Sequence, residues 1–116
     1  MNKRQLGADY EDKACEYLES KGYIILDRNF RNKNGEIDII AKDKECLVFI
    51  EVKYRQNKTY GYSTEAVNYR KQAIIYRVAE NYLSYKSEYY GMPCRFDVIG
   101  FDNDNLNHIK NAFGGI

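Results

Sequence analysis

The sequence predicts an α/β fold, a sandwich in which helices flank a mixed central sheet. Two observations indicate the α/β class. Apolar residues recur at helical spacing over about residues 3–20 and 64–85, and five short β-rich runs lie between and after these segments. In addition, 116 residues fit one hydrophobic core and leave no room for a second. We therefore expect residues 1–116 to form a single domain.

The first helix is predicted over about residues 3 to 20, where apolar residues recur every three or four positions, and Gly22 ends it. Residues 23–26 predict a strand. Residues 28–34 are polar and basic and predict a loop that ends at Gly35.

Two further strands are predicted at residues 36–41 and 47–54, both rich in β-branched and aromatic residues. The charged residues 42–45 separate them by the length of a short turn, which predicts a hairpin. The second of these runs is the more apolar and should be a central strand of the sheet.

The second helix is predicted from about Thr64 to Tyr85, with Ser63 or Thr64 as its N-cap. Lys71 falls within the apolar stripe of this helix. A lysine in that position commonly extends its ammonium group to solvent over a buried stem, so a structural explanation stands beside a phosphate-binding one.

The C-terminal part predicts two strands. Residues 94–101 read as a strand, residues 102–105 as a turn, and residues 108–112 as a short last strand. His108, the only histidine, is expected on the surface of that strand. The predicted order is therefore helix, three strands, helix, two strands.

Composition limits the classes of partner and location. Hydrophobic residues make up 44% and charged residues 30% of the chain, which argues against disorder. The net charge of +1 excludes no partner, because a neutral protein binds nucleic acid when its basic residues lie on one face. The three cysteines lack any CxxC spacing and are expected to be buried or half-buried thiols. With no apolar leader and no membrane-spanning stretch, the expected location is the cytoplasm.

Charged residues occupy positions on the hairpin strands where a buried strand should have none. Because strand side chains alternate between faces, Glu36 and Asp38 share one face, and Glu51 and Lys53 share one face of the next strand. Pairing of these strands would bring the four groups together. Buried carboxylates are costly unless a cation or hydrogen bonds compensate them, and a divalent metal would do so.

Carboxylate oxygens favour Mg²⁺ or Mn²⁺ over zinc, since no thiol or imidazole is near. Such an ion would polarise a phosphoryl oxygen and lower the pKa of a bound water, and Lys53 would orient that water or neutralise charge growing on the phosphate. Simpler explanations stay open. In these explanations, Glu51 and Lys53 would form a structural ion pair, and Glu36 would be a solvated residue at the start of a strand. Glu11, on the edge of the apolar face of the first helix, would pair with a nearby Lys or Arg.

The motif Gly35-Glu36-Ile37-Asp38, followed by Phe49-Ile50-Glu51-Val52-Lys53-Tyr54-Arg55, resembles the YraN-like proteins of bacteria. That family is similar to the restriction-endonuclease-like PD-(D/E)xK nucleases, including archaeal Holliday-junction resolvases. An isolated Asp with a later Glu-x-Lys is a weak signal, but the two motifs in this order are a strong one. The similarity runs over nearly the whole chain.

The resemblance implies a restriction-endonuclease-like fold in which Asp38 and Glu51 hold the metal, Lys53 is the catalytic lysine and Glu11 reaches the metal region. Glu36 is a further candidate ligand because it shares a strand face with Asp38. The implied activity is metal-dependent endonucleolytic cleavage of DNA, including branched DNA, with RNA left open. By analogy a junction cutter would be a homodimer. Two other functions stay open: a nucleic-acid-binding module that does not cut, and a purely structural partner protein.

Basic residues near the predicted site could contact a phosphate backbone, although scattered surface charge is the simpler explanation. These candidates for nucleic-acid binding are Arg28, Arg31, Lys33, Arg55, Lys58 and Lys71.

Overall fold

A computed structural model of the chain describes residues 3–55 and 67–113, with side chains from Gly7 onward. Two α-helices and five β-strands follow one another in the predicted order of helix, three strands, helix, two strands, which is thereby confirmed. The elements are α1 (Lys3–Ser20), β1 (Ile24–Asn32), β2 (Gly35–Asp43), β3 (Cys46–Arg55), α2 (Tyr69–Tyr85), β4 (Cys94–Asp102) and β5 (Asn105–Ile109), with a 3₁₀ turn at Ser87–Tyr89.

The five strands form one sheet in the order β1-β2-β3-β4-β5. Only β3 and β4 are parallel, and the other neighbours are antiparallel, so the sheet is mixed, as predicted. The parallel pair needs a crossover connection, and α2 lies within it. β3 is the central strand, which confirms the prediction made from its apolar run.

Each face of the sheet packs against one helix. On one face, Tyr10, Ala14 and Leu18 of α1 pack against a group that includes Ile39 and Ile50. These helix positions are four residues apart and so lie on one side of α1. The other face packs against α2, whose buried residues are Ile75, Val78, Ala79 and Tyr82. This arrangement is an α/β sandwich consistent with the restriction-endonuclease-like fold.

The prediction of a loop over residues 28–34 is wrong, because β1 continues to Asn32 and a two-residue turn separates it from β2. β1 is an edge strand, so many of its polar side chains face solvent while its backbone pairs with β2. The prediction failed because the polar residues of an edge strand have the composition of a loop. The strand is irregular, with a shift of register between Ile25 and Asp27 and a positive φ of 54° at Asn29.

The start of α2 also differs from the prediction. The helix begins at Tyr69 after the N-cap Asn68, whose side chain accepts a hydrogen bond from the Lys71 backbone N–H at 2.9 Å. Since Val67 and Asn68 are not helical, a continuous helix from Thr64 is wrong. The predicted cap residues Ser63 and Thr64 lie outside the described residues.

The last strand was predicted too late in the chain. Asn103 and Asp104 form a two-residue turn, and β5 starts at Asn105, within the predicted turn. Asn103 has a φ of 58°, a conformation that asparagine tolerates in tight turns.

All three cysteines are free thiols. Cys15 is buried and Cys46 half-buried, as expected, but Cys94 is exposed, which corrects the prediction for that residue. In the described part of the chain, no helix combines the length and apolar character needed to cross a bilayer.

Gly35 is expected to tolerate no side chain. An added Cβ would lie 2.5 Å from Cγ2 of Ile74 on α2, and the φ of Gly35 is 155°. We expect Gly35→Ala to lower the free energy of unfolding by about 1–3 kcal/mol, as overpacking commonly does. The matched control is Gly7→Ala in α1, where nothing lies within 4 Å of an added Cβ, so helix propensity should leave stability equal or higher. Equal urea midpoints for both variants would contradict this packing.

Candidate active site

The site forms where β2 and β3 stop pairing. Their antiparallel ladder runs from the Asp43↔Cys46 pair to the Ile39↔Ile50 pair. Asp38 and Glu51 are the next residues in that register, just beyond the last pair. The backbone N–H of Val52 donates a hydrogen bond to Asp38 Oδ2 at 2.8 Å. At this position the acceptor is therefore the aspartate side chain and not a backbone carbonyl of the neighbouring strand. This strand geometry places Asp38 and Glu51 side by side, as the sequence predicts.

The two carboxylates interact directly. The Asp38 side chain is hydrogen-bonded to Glu51, whose own side chain is only 9% exposed. The pKa of Asp38 is raised to about 8, first by burial and then by the charge and hydrogen bond of the neighbouring Glu51, while the hydrogen bond from the Val52 N–H acts to lower it. Without a cation, the pair therefore retains a proton at neutral pH.

Glu51 pairs with Lys71 and not with Lys53. The Lys71 Nζ atom on α2 lies 3.6 Å from Glu51 Oε2, and its side chain is 42% exposed. Lys71 therefore reaches the site with its ammonium group at the solvent edge. The structural ion pair between Glu51 and Lys53 that the sequence left open does not form.

Lys53 is half-buried, and its side chain makes no ion pair or hydrogen bond among the described residues. It lies two positions after Glu51 on β3 and so on the same face of the sheet. Its partner in the parallel register of β4 is Gly100, which has no side chain to cover it. The side chain of this half-buried lysine, on the same face of β3 as Glu51, is thus uncommitted among the described residues.

Glu11 of α1 lies beside this pair, since its charge also raises the pKa of Asp38. Burial raises the pKa of Glu11 itself, while a hydrogen bond with Asn29 and the charge of Arg28 act to lower it. The Arg28 Nη2 atom is 3.9 Å from Glu11 Oε1. Asn29 lies across from Asp38 in the register of β1 and β2, which connects Glu11 to the same end of the sheet.

Glu36 lies at the rim. It accepts a hydrogen bond from Arg31 at 2.9 Å, and the arginine side chain is two-thirds exposed. In the part of the chain that the structure describes, no three His, Cys, Asp or Glu side chains meet at one point that could hold a cation. The structure thus brings two of the four predicted ligands, Asp38 and Glu51, into contact and places Glu11 and Glu36 around them.

This donor set fits a magnesium-like ion. Mg²⁺ is commonly held by one or two carboxylates and keeps several waters, and both groups here offer hard oxygen ligands. The raised pKa of Asp38 reflects its burial and the nearby Glu51 charge, both of which a bound cation would offset. Two carboxylates in contact therefore suit Mg²⁺ or Mn²⁺ better than a softer metal.

The predicted basic residues do not form one continuous surface. Arg28 is bound to Asp12 at 2.8 Å, and Arg31 to Glu36. Lys33 is exposed on the β1–β2 turn, and Arg55 is half-buried at the end of β3. Lys58 lies outside the described residues.

Two arginines on α2 were missed in the sequence. Arg70 and Arg77 are exposed and, within the described chain, belong to no ion pair. With Asn34, Ala73 and Ile74 they line a groove of about 250 Å³ beside the β1–β2 turn. Their spacing of seven residues, on the helix that also carries Lys71, was the signal that could have identified them.

His108 is not a surface residue, contrary to the prediction. Its side chain is 5% exposed, with Nε2 2.7 Å from Asp97 Oδ2 and Nδ1 3.0 Å from the Tyr17 hydroxyl. Asp97 is fully buried, and Arg95 contacts it at 3.0 and 3.1 Å. Burial acts to raise the pKa of Asp97, but the hydrogen bonds from His108 and Arg95 hold it below its ordinary value. The alternating residues of β5 could not reveal this, because α1 covers the face that holds His108.

Comparison with known proteins gives one consistent match. The sequence profile of the family described as "Uncharacterised protein family UPF0102" matches residues 10–101, a range that includes every residue of the carboxylate site. A UPF0102 protein of Persephonella marina is 47% identical over 92% of this chain and 91% of its own length. UPF0102 proteins of Fusobacterium nucleatum and Clostridium botulinum are 45% and 48% identical, over 99% and 95% of this chain and 96% and 94% of their own lengths.

Proposed function

The chain belongs to the UPF0102 (YraN) family, and from the geometry of its carboxylate pair we propose that it is a metal-dependent endonuclease that hydrolyses phosphodiester bonds in DNA, branched DNA among its substrates. One observation carries the proposal. Asp38 and Glu51 contact each other at the end of a strand ladder, and the uncommitted Lys53 lies on the Glu51 face of β3. Adjacent carboxylates are stable together when a cation lies between them, and a free lysine beside them suits a phosphate.

The residues of the site have separate roles in the proposed reaction. Asp38 and Glu51 would hold Mg²⁺ or Mn²⁺, and the Val52 N–H fixes the orientation of the aspartate. When bound, such an ion supplies charge that polarises a phosphoryl oxygen and makes a water more acidic. Lys53 would neutralise the charge that develops on the phosphate, or would hold the attacking water in line.

The surroundings of the pair have supporting roles in this proposal. Lys71 neutralises Glu51 in the metal-free protein, and its partly exposed ammonium group would contact an incoming phosphate once the glutamate binds metal. Arg70 and Arg77 extend the positive charge along α2, and Lys33 lies at the β1–β2 turn. A cutter of branched DNA would need two such sites related by symmetry, so we expect a homodimer on DNA.

A second candidate is a nucleic-acid-binding module that does not cut. The observation that favours it is the Lys71–Glu51 contact of 3.6 Å, because a lysine can replace the metal as the counter-charge of the pair. The uncommitted side chain of Lys53 argues against the non-cutting module, because a protein that only binds nucleic acid does not need a half-buried lysine at this position.

A cleavage screen separates the two candidates. Wild type and Asp38→Asn are incubated with single-stranded, flapped, branched and duplex DNA, and with RNA, in Mg²⁺, Mn²⁺ or EDTA. The proposal predicts strand cuts that require the metal and disappear with Asp38→Asn. Binding of these substrates with no cut by the wild type in either metal would support the non-cutting module.

DNA affinity is expected to fall steeply with salt although the net charge is only +1. The reason is that the proposed contacts join Lys and Arg to phosphates, and each contact releases a counterion. Arg70→Gln with Arg77→Gln should reduce the slope of log affinity against log salt by about 1 per lost contact. Lys13→Gln is the matched control, since Lys13 already pairs with Asp104 at 3.6 Å. A flat salt response in the wild type would remove both nucleic-acid functions.

A further inference from the structure

A second cleft lies at the other end of β2. It has a volume of about 460 Å³ and is bordered by Asp43 and by Tyr17, Lys21, Tyr23, Lys44, His108 and Lys110. Asp43 is five residues along β2 from Asp38, which separates the two positions by roughly 17 Å. The cleft is therefore distinct from the carboxylate site.

Three lysines from separate elements meet at this cleft. Lys21 follows α1, Lys44 is in the β2–β3 turn, and Lys110 follows β5. Each is exposed, and none belongs to an ion pair within residues 3–55 and 67–113. The chain has 18 basic and 17 acidic residues, so a general excess of positive charge does not explain this grouping. Like charges around one concave surface concentrate a positive potential that attracts anions.

The one acidic residue of the lining does not neutralise these lysines. Asp43 accepts a hydrogen bond from Arg95 Nη1 at 3.0 Å, and it shares this arginine with the buried Asp97. The same guanidinium group, through Nη2, donates to the Tyr23 hydroxyl at 2.6 Å. The shared arginine compensates Asp43 in part, and the three lysines of the lining outnumber its single negative charge, so the potential of the cleft stays positive.

The floor of the cleft is held rigidly. The Asp97 carboxylate accepts a hydrogen bond from Nε2 of His108, and Nδ1 of the same ring is hydrogen-bonded to the Tyr17 hydroxyl. The side chains of His108 and Asp97 are buried, so the Tyr17 hydroxyl is hydrogen-bonded to a group that solvent does not reach. Tyr23 is buried, whereas the half-buried Tyr17 presents part of its ring beside the lysines, which suits a ligand that has both a flat ring and an anion.

We propose that this cleft binds a phosphate-bearing ligand of about nucleotide size, with its anionic group among Lys21, Lys44 and Lys110. The cleft volume falls within the range of roughly 300–1,000 Å³ that is usual for small-molecule sites. The phosphate could belong to a free nucleotide or to a nucleic-acid strand. The inference does not depend on cleavage at the carboxylate pair.

The test is a titration of ¹⁵N-labelled protein followed by NMR, in EDTA so that no DNA is cut. The probes are adenosine 5′-monophosphate, inorganic phosphate and a single-stranded DNA of about 12 nucleotides. We expect chemical-shift changes at Lys21, Tyr23, Lys44, His108 and Lys110. Shifts with the mononucleotide or phosphate would identify a small-ligand site, and shifts with the oligonucleotide alone would identify a strand-binding site. Either result supports the proposal.

Matched variants complete the test. Lys44→Ala with Lys110→Ala should weaken binding of the effective probe at least about tenfold, because charge-assisted contacts to phosphate are lost. Lys13→Ala with Lys86→Ala removes two lysines away from the cleft and should leave the affinity unchanged. No shift at the cleft with any of the three probes, or an equal loss of affinity in both double variants, would overturn the proposal.

Discussion

Lys53→Ala is expected to lose about 10²- to 10³-fold in the rate of DNA cleavage while it retains Mn²⁺ and DNA binding. The lysine is half-buried next to Glu51 without a partner among the described residues, so its charge is available to a phosphate and not to a metal ion. A group that acts on the transition state lowers the rate of the chemical step and leaves ground-state binding unchanged. Single-turnover cleavage measures the rate, and calorimetry measures both affinities.

Lys71→Ala is the comparison variant, because Lys71 contacts Glu51 directly at 3.6 Å. Its removal should alter DNA binding more than the rate of the chemical step. If Lys53→Ala instead lost as much metal affinity as Asp38→Asn, Lys53 would be a support for the carboxylates and the assignment would be wrong.

Asp38→Asn is expected to make the metal-free protein as stable as the wild type or more stable. The pKa of Asp38 is raised from 3.8 to about 8, chiefly by burial and by Glu51. Because the unfolded chain releases this proton near pH 4 and the folded protein near pH 8, the wild type loses stability as pH rises between these values. An asparagine avoids that loss and still accepts from Val52, so we expect a gain of about 1–3 kcal/mol at pH 7 that vanishes below pH 4.

Asp97→Asn provides the opposite case in the same protein. Asp97 is fully buried and is held by Arg95 and His108, so Asp97→Asn removes a buried charge that both groups contact and leaves Arg95 with Asp43 as its acidic partner among the described residues. Breaking such a pair commonly costs about 3–5 kcal/mol. Denaturant unfolding of the two variants in EDTA should therefore give changes of opposite sign. A strong destabilisation by Asp38→Asn, similar to that by Asp97→Asn, would indicate that both aspartates are structural.

Metal should reverse the order of stability of wild type and Asp38→Asn. Mn²⁺ at roughly 100 times its dissociation constant is expected to stabilise the wild type by about 2.7 kcal/mol, which raises Tm by on the order of 10 °C for a domain of this size. Asp38→Asn should lose most of that rise. Four melting curves, two proteins in EDTA or Mn²⁺ at fixed pH and salt, measure the difference, and identical shifts would contradict a role of Asp38 in metal binding.

The fold was largely predictable because helix and strand periods are long-range patterns. α1 was predicted at its observed bounds, and β3 was identified as central from its apolar run. β1 was cut short because the polar residues of an edge strand and of a loop look alike until the partner strand is known. The start of α2 was misplaced because Asn68, Ser63 and Thr64 are all good N-caps, and the competition between them is decided by tertiary contacts.

The candidate site was predictable where it depends on neighbouring strands. Alternation and hairpin pairing sufficed to bring Asp38 and Glu51 together. The residue pattern suggested that Lys53 acts on the water or the phosphate, and the resemblance implied that it is the catalytic lysine. The sequence did not reveal that Lys71 would be the partner of Glu51, since this contact joins a helix to a strand. The burial of His108 and Asp97 was missed for the same reason, because it depends on which face of the sheet α1 covers.

The central claim, that Asp38 and Glu51 form a divalent-cation site, is tested most directly by calorimetric titration of Mn²⁺. The proteins are wild type, Asp38→Asn and Glu51→Gln, with Glu36→Gln as the control because Glu36 pairs with Arg31 at the rim. We predict binding to wild type and to the control, and a loss of more than about 100-fold for each of the other two, since outer partners of a metal ligand alone account for roughly 10- to 100-fold. No heat of binding in the wild type, or wild-type affinity in Asp38→Asn, would contradict the claim.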